Sequence, residues 1–203
     1  MTALAPWGRS LARGGAFLGA VDDYARARGV LFGAPMDFTV TFRPGARLAP
    51  QRLREVSQVL EEYSFSLGES LARHPFADAG DVSLPPGNVA ASLEAIEGVV
   101  AGIAADGKVP LMMGGEHLVT WAAVRALARR HPDLAVVHLD AHADLREKYL
   151  GERLSHATVM RLVAEHLEGP IYQFGVRSGT PEEAAYARAR TRLSPERALE
   201  PHL

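Results

Sequence analysis

The chain has 203 residues, 47% of them hydrophobic and 23% charged, enough to bury one large core or two small ones. Its 22 basic and 24 acidic side chains leave a formal net charge of -2, which excludes a strong overall field toward nucleic acid or an anionic membrane surface. The absence of cysteine excludes disulfides, thiolate metal sites and a cysteine nucleophile. Because no stretch has signal-peptide or membrane-spanning character, we predict a cytoplasmic protein with a single domain over residues 1–203.

Short apolar runs alternate with amphipathic stretches of helical length, a pattern that predicts an α/β fold with a mostly parallel sheet. In chain order we predict strand 30–34, helix 50–63, a helix between the N-cap Asn88 and the C-cap Gly107, strand 109–113, helix 119–130, strand 134–139, a helix from the cap Ser155 to Leu167, strand 171–174 and helix 182–192. Residues 1–20 and 65–84 show little periodicity and give no prediction.

The helix predicted over residues 50–63 has an apolar stripe. Leu53, Val56, Leu60 and Tyr63 recur at helical spacing. In an amphipathic helix such a stripe usually faces the core. We therefore expect this face of the helix to lie on the sheet.

The densest polar feature is Asp140-Ala141-His142-Ala143-Asp144, directly after the predicted strand 134–139. In extended backbone, residues i, i+2 and i+4 face the same way, so two carboxylates and an imidazole converge at the carboxyl end of a strand. A divalent cation would offset the repulsion and desolvation of such a group. A pattern this short also fits a capped turn with a hydrogen-bonded histidine, so by itself it decides little.

A second polar turn, Gly114-Gly115-Glu116-His117, follows the predicted strand 109–113. One helix and one strand separate it from Asp140, which allows a single right-handed crossover and two loops at the same edge of a sheet. Two such clusters together favour a metal site over ordinary turn chemistry. Oxygen and imidazole ligands without sulfur favour Mn²⁺, with Zn²⁺, Fe²⁺ and Co²⁺ as alternatives.

Three motifs in this order resemble the ureohydrolase family of arginases and agmatinases: the Gly-Gly-Glu-His turn, the Asp-x-His-x-Asp segment and Leu154-Ser155-His156-Ala157. The segments 33–37, 43–47 and 172–179 resemble the same family, and bacterial agmatinases most of all. The resemblance implies a three-layer arginase-like α/β/α fold. It also implies a two-manganese centre whose bridging hydroxide attacks a guanidinium carbon and releases urea.

The resemblance assigns roles residue by residue. His117 and Asp144 match ligands of one ion, His142 matches a ligand of the other, and Asp140 matches the bridge between them. His156 matches the active-site histidine that handles a proton or holds the substrate; taken alone, it would be read as an exposed residue in the first turn of a helix. The implied substrate is a guanidino compound, with agmatine converted to putrescine and urea. A complete family member is also expected to be a homo-oligomer.

Three further residues are weaker candidates. Glu116 stands where the family often has Asp, which favours a supporting role around the metal over direct ligation. Tyr149 and Arg153 lie between two motifs and could line the substrate channel or simply belong to a solvated loop.

One family motif is missing. No Asp-x-Asp-x-x-Asp-Pro segment occurs, and no aspartate follows Asp144. In the family, the first two aspartates of this motif complete both metal sites. The expectation is therefore a family member truncated or frameshifted at its C-terminal end, with an incomplete metal shell. Two other readings stay open: a ureohydrolase acting on another guanidino acid or amine, and a non-catalytic fragment.

Overall fold

A computed structural model describes Gly8, Leu11–Ala12 and residues 15–194 of the chain. The chain divides into two compact units, the first ending at Ala123 and the second beginning at Val124. The prediction of one domain over residues 1–203 stays a prediction. None of the helices among the described residues has both the length and the apolar character needed to cross a membrane.

The first unit contains a four-stranded sheet, in the order β1-β5-β2-β6, and a separate hairpin, β3-β4. Strand β2 is parallel to both of its neighbours, whereas β1 is antiparallel to β5. The elements are β1 (Leu11–Ala12), β2 (Gly29–Ala34), α1 (Ala49–Ser57), β3 (Tyr63–Ser64), β4 (Glu69–Ser70), β5 (Phe76–Val82), α2 (Val89–Ala105) and β6 (Val109–Gly114).

The second unit contains a three-stranded parallel sheet, in the order β7-β8-β9. Its elements are β7 (Val136–Leu139), α4 (Val159–His166), β8 (Ile171–Phe174), α5 (Pro181–Arg190) and β9 (Arg192–Ser194). Helix α3 (Val119–Ala128) contains the boundary between the two units. Strand β6 belongs to the sheet of the first unit and β7 to the sheet of the second, and the expectation that their loops lie at one edge of a sheet stays a prediction.

Most predicted elements are confirmed, with ends that differ by a few residues. The prediction is best at helix ends with specific capping chemistry. Asn88 Oδ1 accepts a hydrogen bond from the Ala91 amide at 3.1 Å and caps α2. At the other end, Gly107 has φ +72° and its amide donates to the Ala104 carbonyl, as expected of a left-handed glycine after a helix.

Strand β5 lies in the stretch that gave no prediction. Its sequence, Phe-Ala-Asp-Ala-Gly-Asp-Val, has two carboxylates and a glycine where a buried strand usually has branched apolar residues. Both carboxylates pair with Arg54 of α1. The strand therefore owes its polar composition to a partner that lies far from it in the sequence.

The prediction for helix 50–63 is wrong in length and in orientation. The helix ends at Ser57, and its buried residues are Pro50, Arg54 and Ser57. Leu53 and Val56 of the predicted inner stripe are instead 44% and 56% exposed. The row of α1 that contains Arg54 and Ser57 faces the sheet because a buried ion pair holds it there.

Arg54 is the centre of this ion pair. Its Nε donates to Asp78 Oδ2 at 2.7 Å, and its Nη1 donates to Asp81 Oδ1 at 2.6 Å. Burial acts to lower the pKa of Arg54, but the hydrogen bonds and charges of the two aspartates outweigh burial and raise it. Asp78 is only 2% exposed, so Arg54 compensates a carboxylate that water hardly reaches.

We expect Arg54→Leu to lower the free energy of unfolding by about 3–5 kcal/mol, because it leaves the Asp78 charge buried without its partner. Arg52→Leu is the matched control: Arg52 lies on the same helix, is 75% exposed and, among the residues that the structure describes, pairs only with Glu55. That control should change stability by less than about 0.5 kcal/mol. Urea unfolding followed by circular dichroism measures both, and equal losses would show that the buried pair does not stabilise the unit.

Candidate metal centre

Metal-ligating side chains gather in the second unit where β7 ends. His138, Asp140 and Asp144 each offer one ligand atom, and these atoms lie within 4.8 Å of one another. His138 and Asp144 are buried, while 28% of the Asp140 side chain is exposed. Two carboxylates with an imidazole form an oxygen and nitrogen donor set, which suits a hard or borderline divalent ion such as Mn²⁺.

His142 lies against Asp140 and outside that close group. Its backbone amide donates to Asp140 Oδ1 at 2.8 Å, and its ring Nδ1 is 3.1 Å from the same oxygen. The His142 side chain is 65% exposed. Asp140 thus turns one oxygen toward His142, while its other oxygen, Oδ2, is 3.6 Å from His138 Nε2.

His138 is the functional candidate that the sequence analysis missed. It lies inside β7, two residues before Asp140, so it continues the i, i+2 series of Asp140, His142 and Asp144 toward the N-terminus. The i, i+2 alternation could have identified His138 in the sequence. It was overlooked because His138 falls within the run 134–139, which was interpreted only as a buried apolar strand.

The fully buried side chain of Gln173 determines what His138 can do. The Gln173 Nε2 group is 2.9 Å from the Ala143 carbonyl, which can only accept, so the amide nitrogen and not its oxygen faces this atom. The same nitrogen is 2.9 Å from His138 Nδ1, which therefore accepts. A neutral His138 ring then carries its proton on Nε2, on the side of Asp140. In this arrangement Nε2 lies 3.6 Å from Asp140 Oδ2, beyond hydrogen-bond distance, and it would have to lose its proton before His138 could ligate a metal.

Asp144 is held by its backbone as well as by its neighbours. It has φ +51°, in the left-handed region that few residues other than glycine adopt. Its carbonyl accepts hydrogen bonds from the Met160 and Arg161 amides of α4, at 3.0 and 3.3 Å. The next amide, of Leu145, donates to the buried carboxylate of Glu183 on α5. Two helices therefore fix the turn that carries the Asp144 carboxylate.

His156 lies one residue after a helix cap. Ser155 caps the short helix His156–Thr158, and its Oγ is 3.3 Å from His156 Nδ1. The ring of Tyr149 meets the His156 ring edge to face, with centroids 5.3 Å apart. Tyr149 also lies under the guanidinium of Arg146, at 5.4 Å. The structure thus brings Tyr149 and His156 together, as neighbours in one aromatic contact.

Arg153, the other candidate for the channel, forms an ion pair with Glu165. Burial acts to raise the pKa of Glu165, but the hydrogen bond from Arg161 and the charge of Arg153 lower it overall. Arg153 is half exposed and is bound to this acidic side chain. This ion pair gives Arg153 a structural role. That Arg153 lines a substrate channel stays a prediction.

In the first unit, Glu116 holds a loop. Its buried carboxylate accepts hydrogen bonds from the Phe38 amide at 3.0 Å and from the Thr39 amide and hydroxyl. The turn before Glu116 requires glycine, because a Cβ on Gly115 would lie 2.0 Å from the Met36 carbonyl oxygen. With its oxygens occupied by backbone and hydroxyl donors, Glu116 supports the turn that carries the half-buried His117.

Residues 27–200 match the family model described as "Arginase family". The chain belongs to the arginase family. It is 50% identical over 177 residues to an agmatinase of Bacillus subtilis, an alignment that covers 86% of this chain and 61% of that protein. The chain thus spans about 61% of the length of this relative.

Solved structures of arginase-family proteins have the same fold. The agmatine ureohydrolase of Thermoplasma volcanium aligns with a TM-score of 0.82 and 35% identity, covering 92% of this chain and 63% of that structure. The proclavaminate amidino hydrolase of Streptomyces clavuligerus aligns with a TM-score of 0.75 and 31% identity, covering 94% and 65%. These similarities confirm the arginase-like α/β fold with a mostly parallel sheet.

We expect Gln173→Leu to destabilise the second unit by about 1–3 kcal/mol, because it leaves the Ala143 carbonyl and the His138 ring without their donor in a buried place. Tyr172→Phe is the control, since Tyr172 precedes Gln173 on β8 and its hydroxyl accepts a hydrogen bond from the exposed Arg192. Urea unfolding measures both changes. A loss for Gln173→Leu no larger than that of the control would contradict the role given to the amide.

Proposed function

We propose that this chain carries part of the active centre of an agmatinase-type hydrolase, which converts agmatine to putrescine and urea, a step of polyamine synthesis. The observation that carries the proposal is the gathering of Asp140 and Asp144 after β7 in a chain 50% identical to an agmatinase. A cytoplasmic location and a homo-oligomeric state stay predictions of this proposal.

We further propose two Mn²⁺ ions per complete centre. His117 and Asp144 would hold one ion, His142 the other, and Asp140 would bridge them. Within the second unit, the support is the Asp140 carboxylate, because its two oxygens point in different directions. Oδ1 faces the imidazole of His142, and Oδ2 faces the imidazole of His138. The two aspartates supply a charge of -2 against +4 for two divalent ions. The chain has no later aspartate to improve that balance, so this donor set should bind metal weakly.

When bound, the ions would act as Lewis acids and activate water for attack on the guanidinium carbon of the substrate. The protein's own part is to orient the reacting groups. His138 faces Asp140 with its Nε2 3.6 Å from the carboxylate, and Gln173 fixes the His138 ring in that position. His156, bounded by Ser155 and Tyr149, would move a proton or hold the substrate. Glu116 would keep the His117 turn in position.

A second candidate is hydrolysis of another guanidino acid or amine. It is favoured by the similarity to the proclavaminate amidino hydrolase, which is 31% identical over 94% of this chain. In both candidates the same centre would act, so a comparison of substrates in the activity assay separates them. A third reading, a non-catalytic fragment, is distinguished from these two by the assays below.

For the chain of 203 residues, we expect Mn²⁺ to bind weakly, with a Kd on the order of 10⁻⁴ M or above, and urea release from agmatine to be near background. Asp140→Ala should abolish the binding heat in calorimetric titration, since it removes the central carboxylate. Asp133→Ala is the control, because Asp133 is an exposed aspartate of the same unit. Binding that survives Asp140→Ala unchanged would contradict the metal assignment.

For activity, the chain can be extended with the part of the Bacillus subtilis agmatinase that follows the aligned region. We expect this longer protein to release urea from agmatine with Mn²⁺. His156→Ala should lower kcat by about 10²–10⁴ and keep the bound manganese, because His156 handles a proton or the substrate and not the metal. The exposed His131 provides the control variant, His131→Ala.

The outcomes of the second assay separate the readings. Faster urea release from another guanidino compound would favour the second candidate. A folded, manganese-loaded protein without urea release from any guanidino substrate would favour the non-catalytic reading. Loss of manganese in His156→Ala would mean that the role given to His156 is wrong.

A further inference from the structure

A cavity of about 780 Å³ lies in the first unit between helix α1 and the segment 15–19; we call it the α1 cavity. Two hydrogen bonds hold the segment in place. The Phe17 amide donates to Asp78 Oδ2 at 2.9 Å, and the Leu18 amide donates to Ser57 Oγ at 2.9 Å. The volume of the cavity falls within the range of roughly 300–1,000 Å³ that small-molecule sites occupy.

The buried ion pair beside the α1 cavity has one negative charge too many. Arg54 carries one positive charge, whereas Asp78 and Asp81 carry two negative charges. Asp78 accepts four hydrogen bonds, two at each oxygen. Two come from Arg54, and the others come from the amides of Phe17 and Gly80. Asp78 therefore neutralises Arg54, and the surplus charge belongs to Asp81.

Asp81 lines the α1 cavity with a carboxylate oxygen that has no partner in the part of the chain that the structure describes. Its Oδ1 accepts from Arg54 Nη1 at 2.6 Å, whereas its Oδ2 accepts no hydrogen bond from any described residue. The Asp81 side chain is 28% exposed. It packs closely on the backbone of β2, because a Cβ on Gly33 would lie 2.0 Å from Asp81 Oδ1. A fixed and partly desolvated carboxylate oxygen is stabilised by a cation.

The rest of the lining determines which kind of cation fits. Phe17 and Leu18 offer apolar contacts to an alkyl chain. Glu55 also lines the cavity and adds negative charge, but its oxygens already accept from Gln51 and Arg52. The α1 cavity therefore suits a ligand with one cationic head and an apolar chain.

The single available oxygen of Asp81 selects the head group. A guanidinium binds a carboxylate most strongly as a fork to two oxygens, whereas an ammonium is a compact point charge that one oxygen can bind. We propose that the α1 cavity is a binding site for a primary alkylammonium, with the head at Asp81 and the alkyl chain against Phe17 and Leu18. The inference does not depend on the proposed activity, because none of these residues belongs to the metal centre. Putrescine, the amine product in the proposed function, is one member of this class.

The test is a titration of the 203-residue chain with n-butylammonium at neutral pH in EDTA, followed by ¹H–¹⁵N NMR. We expect a Kd on the order of 1 mM, with the largest shifts at residues 16–19 and along α1. Asp81→Asn should raise the Kd about tenfold or more, because it removes the surplus charge and leaves Arg54 paired with Asp78. Glu61→Gln is the matched control: it makes the same change in net charge at an exposed position outside the cavity and should leave the Kd unchanged.

Gln51→Lys tests the site without altering the buried ion pair. Gln51 is an exposed residue of α1 that lines the cavity, so a lysine there supplies an ammonium of the protein's own. This ammonium should compete with the ligand and raise the Kd about tenfold. The change in net charge again equals that of Glu61→Gln. Circular dichroism verifies that each variant has the fold of the parent.

The outcomes decide the proposal. The absence of shifts at residues 16–19 up to about 50 mM n-butylammonium overturns it. An unchanged Kd in a folded Asp81→Asn or Gln51→Lys variant also overturns it, as does an equal rise in Glu61→Gln. Butanol and butyrate have the same chain without the positive charge, so equally tight binding of either would show that the head group is not recognised. Tighter binding of n-butylguanidinium would overturn the assignment of an ammonium.

Discussion

The ion pair of Arg54 with Asp78 and Asp81 is the constraint on which the arrangement of the first unit depends. A guanidinium and a carboxylate can be buried only when each satisfies the other, and removing either one is costly. The pair therefore sets which side of α1 meets the sheet. It also explains two other features of the unit: a central strand containing two aspartates, and a helix whose leucine and valine face outward.

In the second unit, too, a buried polar group has to be satisfied by its neighbours, but here the group is the neutral amide of Gln173. Gln173 is fully buried, and its amide links β8 to β7 through His138 and to the following turn through Ala143. Because Ala143 supplies a carbonyl, only one orientation of the amide satisfies all of its neighbours. That orientation decides the protonated nitrogen of His138. A packing residue of the sheet thus controls how a histidine approaches the candidate metal ligand Asp140.

The candidate centre combines strongly held and weakly held parts. Asp144 is fixed by hydrogen bonds from α4 to its own carbonyl and from the next residue to Glu183. His142 is mostly exposed and contacts Asp140. Carboxylates held this closely repel each other, and a cation relieves the repulsion. The geometry of the second unit is therefore consistent with the metal binding proposed for it, and Asp140 is the residue that connects its histidines.

Much of this protein could be predicted from its sequence, because many of its signals are local. The cap at Asn88, the left-handed Gly107 and the strand Ile171–Phe174 each follow from a few neighbouring residues, and the order of the motifs indicated the arginase family. The Asp-x-His-x-Asp spacing located the cluster after β7, since alternation along extended backbone is also a local property.

Tertiary structure alone decided the features that depend on distant partners. Hydrophobic periodicity pointed Leu53 and Val56 inward, but Arg54 turned the helix over because Asp78 lies more than twenty residues away. The polar strand β5 was hidden for the same reason. His138 resembled one more residue of a buried strand until Gln173, 35 residues later, fixed its ring toward Asp140. Local patterns predict secondary structure and motif position, whereas the pairing of buried polar groups is settled only when the fold brings them together.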